Sequence, residues 1–279
     1  MKRIITIQDI SCVGRCSITV ALPIISAAGV ETAVLPTAVL STHTAFPKFT
    51  FRDLTDEIQP ISDTFRELGI GFDAIYTGYL GSPEQIRLVE NFLARFRTQE
   101  NLVVIDPAMA DEGVLYKGFT QQFADRMAVL CSHADLILPN LTEASYMLRI
   151  PYREDCGEAD LRQMLVRLTQ LGAKRAALTG VSLRPGRIGC FLYDSVTGEY
   201  DFYDNEKLPV SYHGTGDVFA SCAVAGCMRG LSIPQALHLA VDFTLESMRK
   251  TMADPERRFY GVNFEQALPM LIGRLPAEA

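Results

Sequence analysis

Near residue 215 the chain reads His213-Gly214-Thr215-Gly216-Asp217, followed by Val218-Phe219-Ala220-Ser221-Cys222-Ala223. Two glycines let the backbone turn tightly and approach a ligand with no Cβ in the way. A helix starting there offers free N–H groups and the positive end of its dipole, which suits an anion such as phosphate. Asp217 then has two readings. It is a first-turn carboxylate that stabilises the helix start, or a general base lying beside a phosphate held by the same loop. The small residues that follow (Ala220, Ser221, Ala223, Ala225, Gly226) imply close packing and fit both.

Other segments carry chemistry of the same scale. Asn140-Leu141-Thr142-Glu143 has the spacing of a capping box. His43 and Tyr79 have rings that could stack on a flat aromatic molecule, and Thr44 has a hydroxyl for one of its substituents. Each also has a plainer reading, His43 as a loop histidine held by backbone and Tyr79 as a side chain closing a pocket.

Short β-rich runs alternate with longer stretches of helical period, and these elements must position such groups. Strands are predicted at Arg3–Gln8, Glu31–Leu35, Phe72–Thr77, Leu102–Asp106, Asp135–Leu138 and Arg175–Thr179. Helices are predicted at Ser17–Ala28, Phe51–Leu68, Pro83–Arg97, Phe119–Cys131, Leu141–Leu148 and Glu158–Leu171. Leu102-Val103-Val104-Ile105 is apolar throughout, as in a parallel strand covered on both faces. The rhythm predicts a doubly wound α/β domain with ligands at the C-terminal edge of the strands. After Thr179, Ile188–Asp194 and Glu199–Tyr203 read as a hairpin, and helices follow at Gly216–Arg229, Ile233–Met252 and Phe264–Ile272. No repeat or Pro/Gly/Ser-rich linker interrupts the 279 residues, so residues 1–279 are expected to form one domain.

Composition narrows the function classes. A net charge of −7 with no basic block argues against nucleic acid as a partner. Seven cysteines, an odd count with no CxxC pair, argue against a disulfide framework or a zinc site and point to free thiols in a reducing cytoplasm. The apolar run Ile4–Ile7 is broken by Gln8 and Asp9, which reads as a buried strand and not as an export signal. No window has the roughly 20 apolar residues of a membrane-spanning helix.

The order of these motifs resembles the ribokinase-like kinases, and within them the pyridoxal kinase branch. Ile7-Gln8 ends the first strand, and Ser41-Thr42-His43-Thr44 follows the second. Thr77-Gly78-Tyr79-Leu80-Gly81-Ser82 follows the third, and Asp106-Pro107-Ala108-Met109-Ala110-Asp111 closes the next. Pro139-Asn140-Leu141-Thr142-Glu143, Thr179-Gly180 and Gly214-Thr215-Gly216-Asp217 complete the series over about residues 3–272. The resemblance implies a three-layer α/β/α fold with a mainly parallel sheet, and phosphorylation of the 5′-hydroxymethyl group of pyridoxal, pyridoxamine or pyridoxine by ATP. Asp217 would be the base, with Gly214, Thr215 and Gly216 stabilising the transferred phosphoryl group. ATP would meet Asp106, Asp111, Asn140, Glu143, Thr179 and the Gly214–Gly216 loop, with Asn205–Tyr212 running past the adenine. Mg²⁺ would be held through water by Asp111 and Glu143. The substrate would meet Asp9, Ser11, His43, Thr44, Tyr79 and Asp217, with the loop 9–16 beside it. A cytoplasmic homodimer is implied as well, and whether K⁺ assists stays open.

The chain departs from that pattern in places. Asp9 stands where pyridoxal kinases usually carry a serine that contacts the pyridine nitrogen; a carboxylate there would favour a protonated ring, or Ser11 would take the contact. Ala110 replaces a usual glycine, and Ala45-Phe46-Pro47 replaces a Gly-rich stretch, stiffening a loop expected to close over substrate. Two other readings stand beside the B6 kinase: a hydroxymethylpyrimidine kinase of thiamine synthesis, and a protein that binds B6 vitamers without turnover. A sugar kinase fits less well, because His43 and Tyr79 stand where a sugar would want carboxylates and amides. A dinucleotide-binding dehydrogenase is excluded because no Gly-x-Gly-x-x-Gly follows the first strand.

Overall fold

The computed structural model describes residues 1–277. β1 (Arg3–Ser11) is an interior strand of a nine-stranded sheet, and its residues alternate between two cores. Ile5 and Ile7 point into one, Ile4 into the other, all fully buried. β2 (Glu31–Leu40), β4 (Ala74–Thr77), β5 (Leu102–Ile105), β8 (Leu136–Ile137) and β9 (Arg175–Val181) continue it in parallel. β3 (Phe51–Asp53), β10 (Arg187–Asp194) and β11 (Glu199–Glu206) add antiparallel edges, giving the order β11-β10-β9-β8-β5-β4-β1-β2-β3.

Helices cover both faces. α2 (Thr55–Glu67), α3 (Pro83–Phe96), α4 (Gln121–Cys131), α5 (Leu141–Leu148) and α6 (Glu158–Gln170) bury Ile58, Phe92, Phe123, Met147 and Leu165 in one core. On the other face α1 (Ile18–Ala27), α7 (Thr215–Met228), α8 (Ile233–Ala253) and α9 (Leu268–Arg274) contribute Ile24, Val218, Phe243 and Leu271. α7 is a central helix of that layer, and the predicted run of small residues is buried against α1 and α8. The fold class read from the alternating strands and helices is the one observed.

Several elements differ from those the sequence predicts. β2 continues past Pro36 to Leu40, because β3 begins only opposite Ala38 and position 36 has a strand on one side alone. The helix expected from Phe51 starts at Thr55. Phe51–Asp53 instead pair with Val39 and its neighbours, and Asp53 accepts the Thr55 N–H at 2.7 Å to begin the helix. The helix expected over Phe264–Ile272 splits into a 3₁₀ turn at Phe264–Gln266 and α9, with Pro269 in the first turn of α9. A two-residue hairpin, β6 (Ala110–Asp111) with β7 (Val114–Leu115), occupies the connection after β5.

Candidate active site

Asp217 lies in the first turn of α7, which begins at Thr215 behind Gly214. Gly214 has φ +79°, and a Cβ there would come within 1.9 Å of the Arg15 carbonyl oxygen, so only glycine fits. Gly216 has open space where a Cβ would point, so its side of the loop is free for a ligand. Asp217 keeps part of its surface in solvent, yet protein crowds round the carboxyl. Burial pushes its pKa up to about 7, the Ser17 backbone N–H pulls the other way, and the charge of Asp9 adds to the rise. A carboxylate held near neutrality, at the mouth of an N–H-rich loop, can accept a proton from a substrate hydroxyl.

A second anionic wall faces it. Asp106, at the end of β5, is buried, and its pKa is raised by burial and by the charges of Glu143 and Asp217. Asn140 caps α5: its Oδ1 accepts the Glu143 N–H at 2.9 Å, and Glu143 Oε2 accepts the Asn140 N–H at 2.9 Å. The capping box is therefore real, and it does more than start a helix. Glu143 Oε1 accepts the Met109 N–H at 3.1 Å and Asn140 Nδ2 donates to the Ala110 carbonyl at 2.8 Å, tying α5 to the Asp106–Asp111 segment. Burial raises Glu143 to about 7 despite these donors. Asp111 sits exposed in the β6–β7 hairpin. Thr179 comes beside Asn140 through a parallel bridge, its N–H donating to the Pro139 carbonyl at 2.9 Å.

These oxygen donors suit a hard cation. Among the described residues no three His, Cys, Asp or Glu side chains converge for direct coordination, and both Glu143 oxygens already accept backbone N–H bonds. The set fits a hydrated Mg²⁺ held through its waters.

The residues expected around the substrate are placed variously. β1 runs on through Ser11, so Asp9 and Ser11 belong to its C-terminal end and not to a loop; both are buried. Asp9 Oδ1 accepts from the Ser17 hydroxyl at 2.5 Å, and Oδ2 from the Ser11 hydroxyl at 3.3 Å. His43 is buried, with its Nδ1 accepting the Ala45 N–H at 3.1 Å and its Nε2 without a partner. One face of its ring stacks on His213, and Phe46 meets it edge-on. Thr44 is exposed on the same loop. Tyr79 is half-buried and stacks on Phe119. Beneath Asp217 lie three more polar side chains, Tyr76, Ser221 and Gln8, fully buried and each with an unpartnered oxygen.

Ser17 is not among the site residues expected from the sequence, and Arg15 and His213 enter there only as members of the loop 9–16 and of the glycine motif. Arg15 pins the loop after β1 to the C-terminal region through Glu265 at 3.1 Å and Asn263 at 2.5 Å. No local pattern marks these roles, since Arg15 meets the far end of the chain, His213 meets His43, and Ser17 reaches back across the loop to Asp9.

The family described as phosphomethylpyrimidine kinase matches residues 22–259. The chain belongs to that family. A Bacteroides thetaiotaomicron protein, provisionally named a phosphomethylpyrimidine kinase and crystallised with pyridoxal, is 38% identical with a TM-score of 0.93, covering 100% of this chain and 97% of its own. Pyridoxal kinase from Lactobacillus plantarum is 30% identical with a TM-score of 0.91, covering 98% and 97%. Pyridoxine kinase of Bacillus subtilis is 28% identical over 219 residues, 77% of this chain and 76% of that protein. The hydroxymethylpyrimidine/phosphomethylpyrimidine kinase of the same organism is 26% identical over 227 residues, 79% and 78%. The chain is thus a ribokinase-like kinase of the pyridoxal kinase type with an alcohol group as acceptor. No helix among the described residues is long and apolar enough to cross a membrane.

Proposed function

We propose that this family member transfers the γ-phosphoryl group of ATP to the 5′-hydroxymethyl group of pyridoxal, pyridoxamine or pyridoxine. The observation that carries the reading is Asp217: a carboxyl in the first turn of α7, directly behind the glycine loop, whose pKa burial raises to about 7 and whose charge is felt by the buried Asp106. The pyridoxal in the 38% identical Bacteroides structure supports the choice of ring.

Asp217 takes the hydroxyl proton as the substrate oxygen attacks phosphorus. The bond from the γ-phosphorus to the bridging oxygen breaks, and ADP leaves with those electrons. The backbone N–H groups of the Gly214–Gly216 loop face the developing charge. Asp111 and Glu143 would hold Mg²⁺ through water, with Asp106 adding charge beside them. When bound, that ion neutralises phosphate charge. Thr179 and Asn140 border the nucleotide side. His43, Thr44 and Tyr79 form the substrate side, where the unpartnered Nε2 of His43 is a buried donor for a ring substituent. We take the chain to act in the cytoplasm as a homodimer, as its resemblance to the pyridoxal kinase branch implies.

The hydroxymethylpyrimidine kinase reading is favoured by the family's own description and by the 26% identical Bacillus relative. ADP release with Mg-ATP against the three vitamers and hydroxymethylpyrimidine decides between them. Turnover on a vitamer supports the proposal. Turnover on the pyrimidine alone overturns the substrate and leaves the mechanism standing. Tight vitamer binding without turnover overturns both.

A further inference from the structure

Ser17 is an outlier three times over. It is one of three non-glycine residues among those described with positive φ, at φ 52° and ψ −133°, outside the ordinary wells of an L residue. It occupies the N-cap of α1, where a serine hydroxyl normally accepts a helix N–H, yet it makes no such bond. Its hydroxyl instead donates to Asp9 Oδ1 at 2.5 Å, buried from solvent. The backbone groups of Ser17 are divided as well. Its carbonyl starts α1 by accepting from Val20 and Ala21 at 3.1 and 2.9 Å, while its N–H lies close enough to the Asp217 carboxyl to pull that group's pKa down, short of a full hydrogen bond.

Such strain persists only where neighbours over-determine it. Here they do. Cys16 is buried beside the same two carboxylates, and Gly214 packs on Arg15 so tightly that no side chain would fit. Arg15 in turn is anchored on Asn263 and Glu265. The Arg15–Ser17 segment is therefore pressed against the start of α7 and cannot relax alone. Asp9 and Ser17 both precede residue 22, where the family match begins.

We infer that Ser17 is a positioning residue for the base: anchored on Asp9 through its hydroxyl, it aims its amide at Asp217 and binds the two aspartates into one bridged pair. The inference rests on the reading of Asp217 as the base. It gives Asp9 a role other than touching the substrate ring, since both of its oxygens already accept hydroxyl bonds. The amide of Ser17 favours the ionised form that can accept a proton, and the charge of Asp9 makes that form more basic. The other titratable groups near Asp217 are Asp106 from β5, Tyr76 from β4, Cys16 from the segment before α1, and Tyr116 after β7. None of them supplies a positive charge.

The test uses the full chain with Mg-ATP and the vitamer turned over best. It compares wild type, Ser17→Gly, Asp9→Asn and Asp217→Asn. Glycine accepts the observed φ and keeps the amide, so Ser17→Gly loses the hydroxyl anchor without adding strain. It is expected to lower kcat roughly tenfold or more, in keeping with the cost of a misplaced catalytic group, while the KM for ATP holds. Asp9→Asn keeps an acceptor for Ser17 but removes the charge, so the acid limb of kcat/KM moves to lower pH. A vitamer KM that rises while kcat and the pH limb stay put would show that Asp9 reads the ring, and would overturn the inference. So would a fall in Tm with unchanged kinetics, which is the mark of a merely structural role. Should Ser17→Gly fail to fold, the pH limb of the near-isosteric Asp9→Asn decides alone. Absence of wild-type turnover on any vitamer or the pyrimidine overturns the reading of Asp217 as base, and the inference with it. Turnover that survives Asp217→Asn does the same.

Discussion

His43 and His213 stack face to face, ring centroids 4.4 Å apart and planes 23° from parallel, joining the loop after β2 to the glycine loop. The contact extends sideways: Phe46 packs on His43, and Phe259 and Tyr260 pack on Phe46. Two imidazoles this close disfavour carrying charge together. Burial pulls His43 down to about 4, with the His213 charge adding to the fall, and burial lowers His213 as well. A histidine with a depressed folded pKa contributes stability that is whole above its unfolded value of about 6.5 and is lost as pH falls through the folded one. The slope of Tm between pH 7 and 4 is therefore expected to be shallower in His43→Phe, which keeps the ring and cannot be protonated. An unchanged slope would place the acid sensitivity elsewhere.

Removing the partner ring tests what the stack does for binding. An aromatic pair of this kind contributes about 1 kcal/mol, a factor of roughly five in an equilibrium constant. His213→Ala frees the His43 ring to turn, and is expected to raise the vitamer KM by at most about that factor with kcat within twofold. Steady-state kinetics at saturating ATP give the split, and a change in kcat alone would count against it.

Asp217→Asn keeps size and neighbours but removes the proton acceptor. Loss of general base catalysis costs on the order of 10²–10⁴ in rate, so kcat should fall by at least a hundredfold with folding intact. In the wild type the proposed base works only when ionised. With its pKa near 7, kcat/KM should rise with pH through about 7 and level off above it. A wild-type profile flat from pH 6 to 8 would show that Asp217 is not the group titrating in the reaction.

How much of this could be read from the sequence depends on how local each feature is. The central strands announced themselves through runs such as Leu102–Ile105, since a strand covered on both faces must be apolar throughout. The Asn140–Glu143 box and the glycine loop before Asp217 were legible because their hydrogen bonds close within a few residues. The three-residue strand β3 carries no alternation long enough to detect, and its pairing depends on β2 running past Pro36. The roles of Ser17 and His213 arise from packing between distant segments. A strained backbone angle or a ring stack has no signature in residue type.

The two glycines of the loop separate folding from catalysis. Gly214→Ala forces a side chain into φ +79° and against the Arg15 carbonyl, which costs about 1–2 kcal/mol for the backbone alone. That variant should lose several degrees of Tm or accumulate as insoluble protein. Gly216→Ala meets nothing within 4 Å and has no positive φ, so its Tm should stay within about a degree, as for substitutions away from packed features. Its methyl group nevertheless enters the space beside the loop N–H groups, where the transferred phosphoryl is proposed to sit. Loss of kcat in Gly216→Ala at unchanged Tm would therefore assign the loop to phosphoryl transfer. Full activity in that variant would move the anion site away from residues 214–216, whatever Gly214→Ala does to the fold.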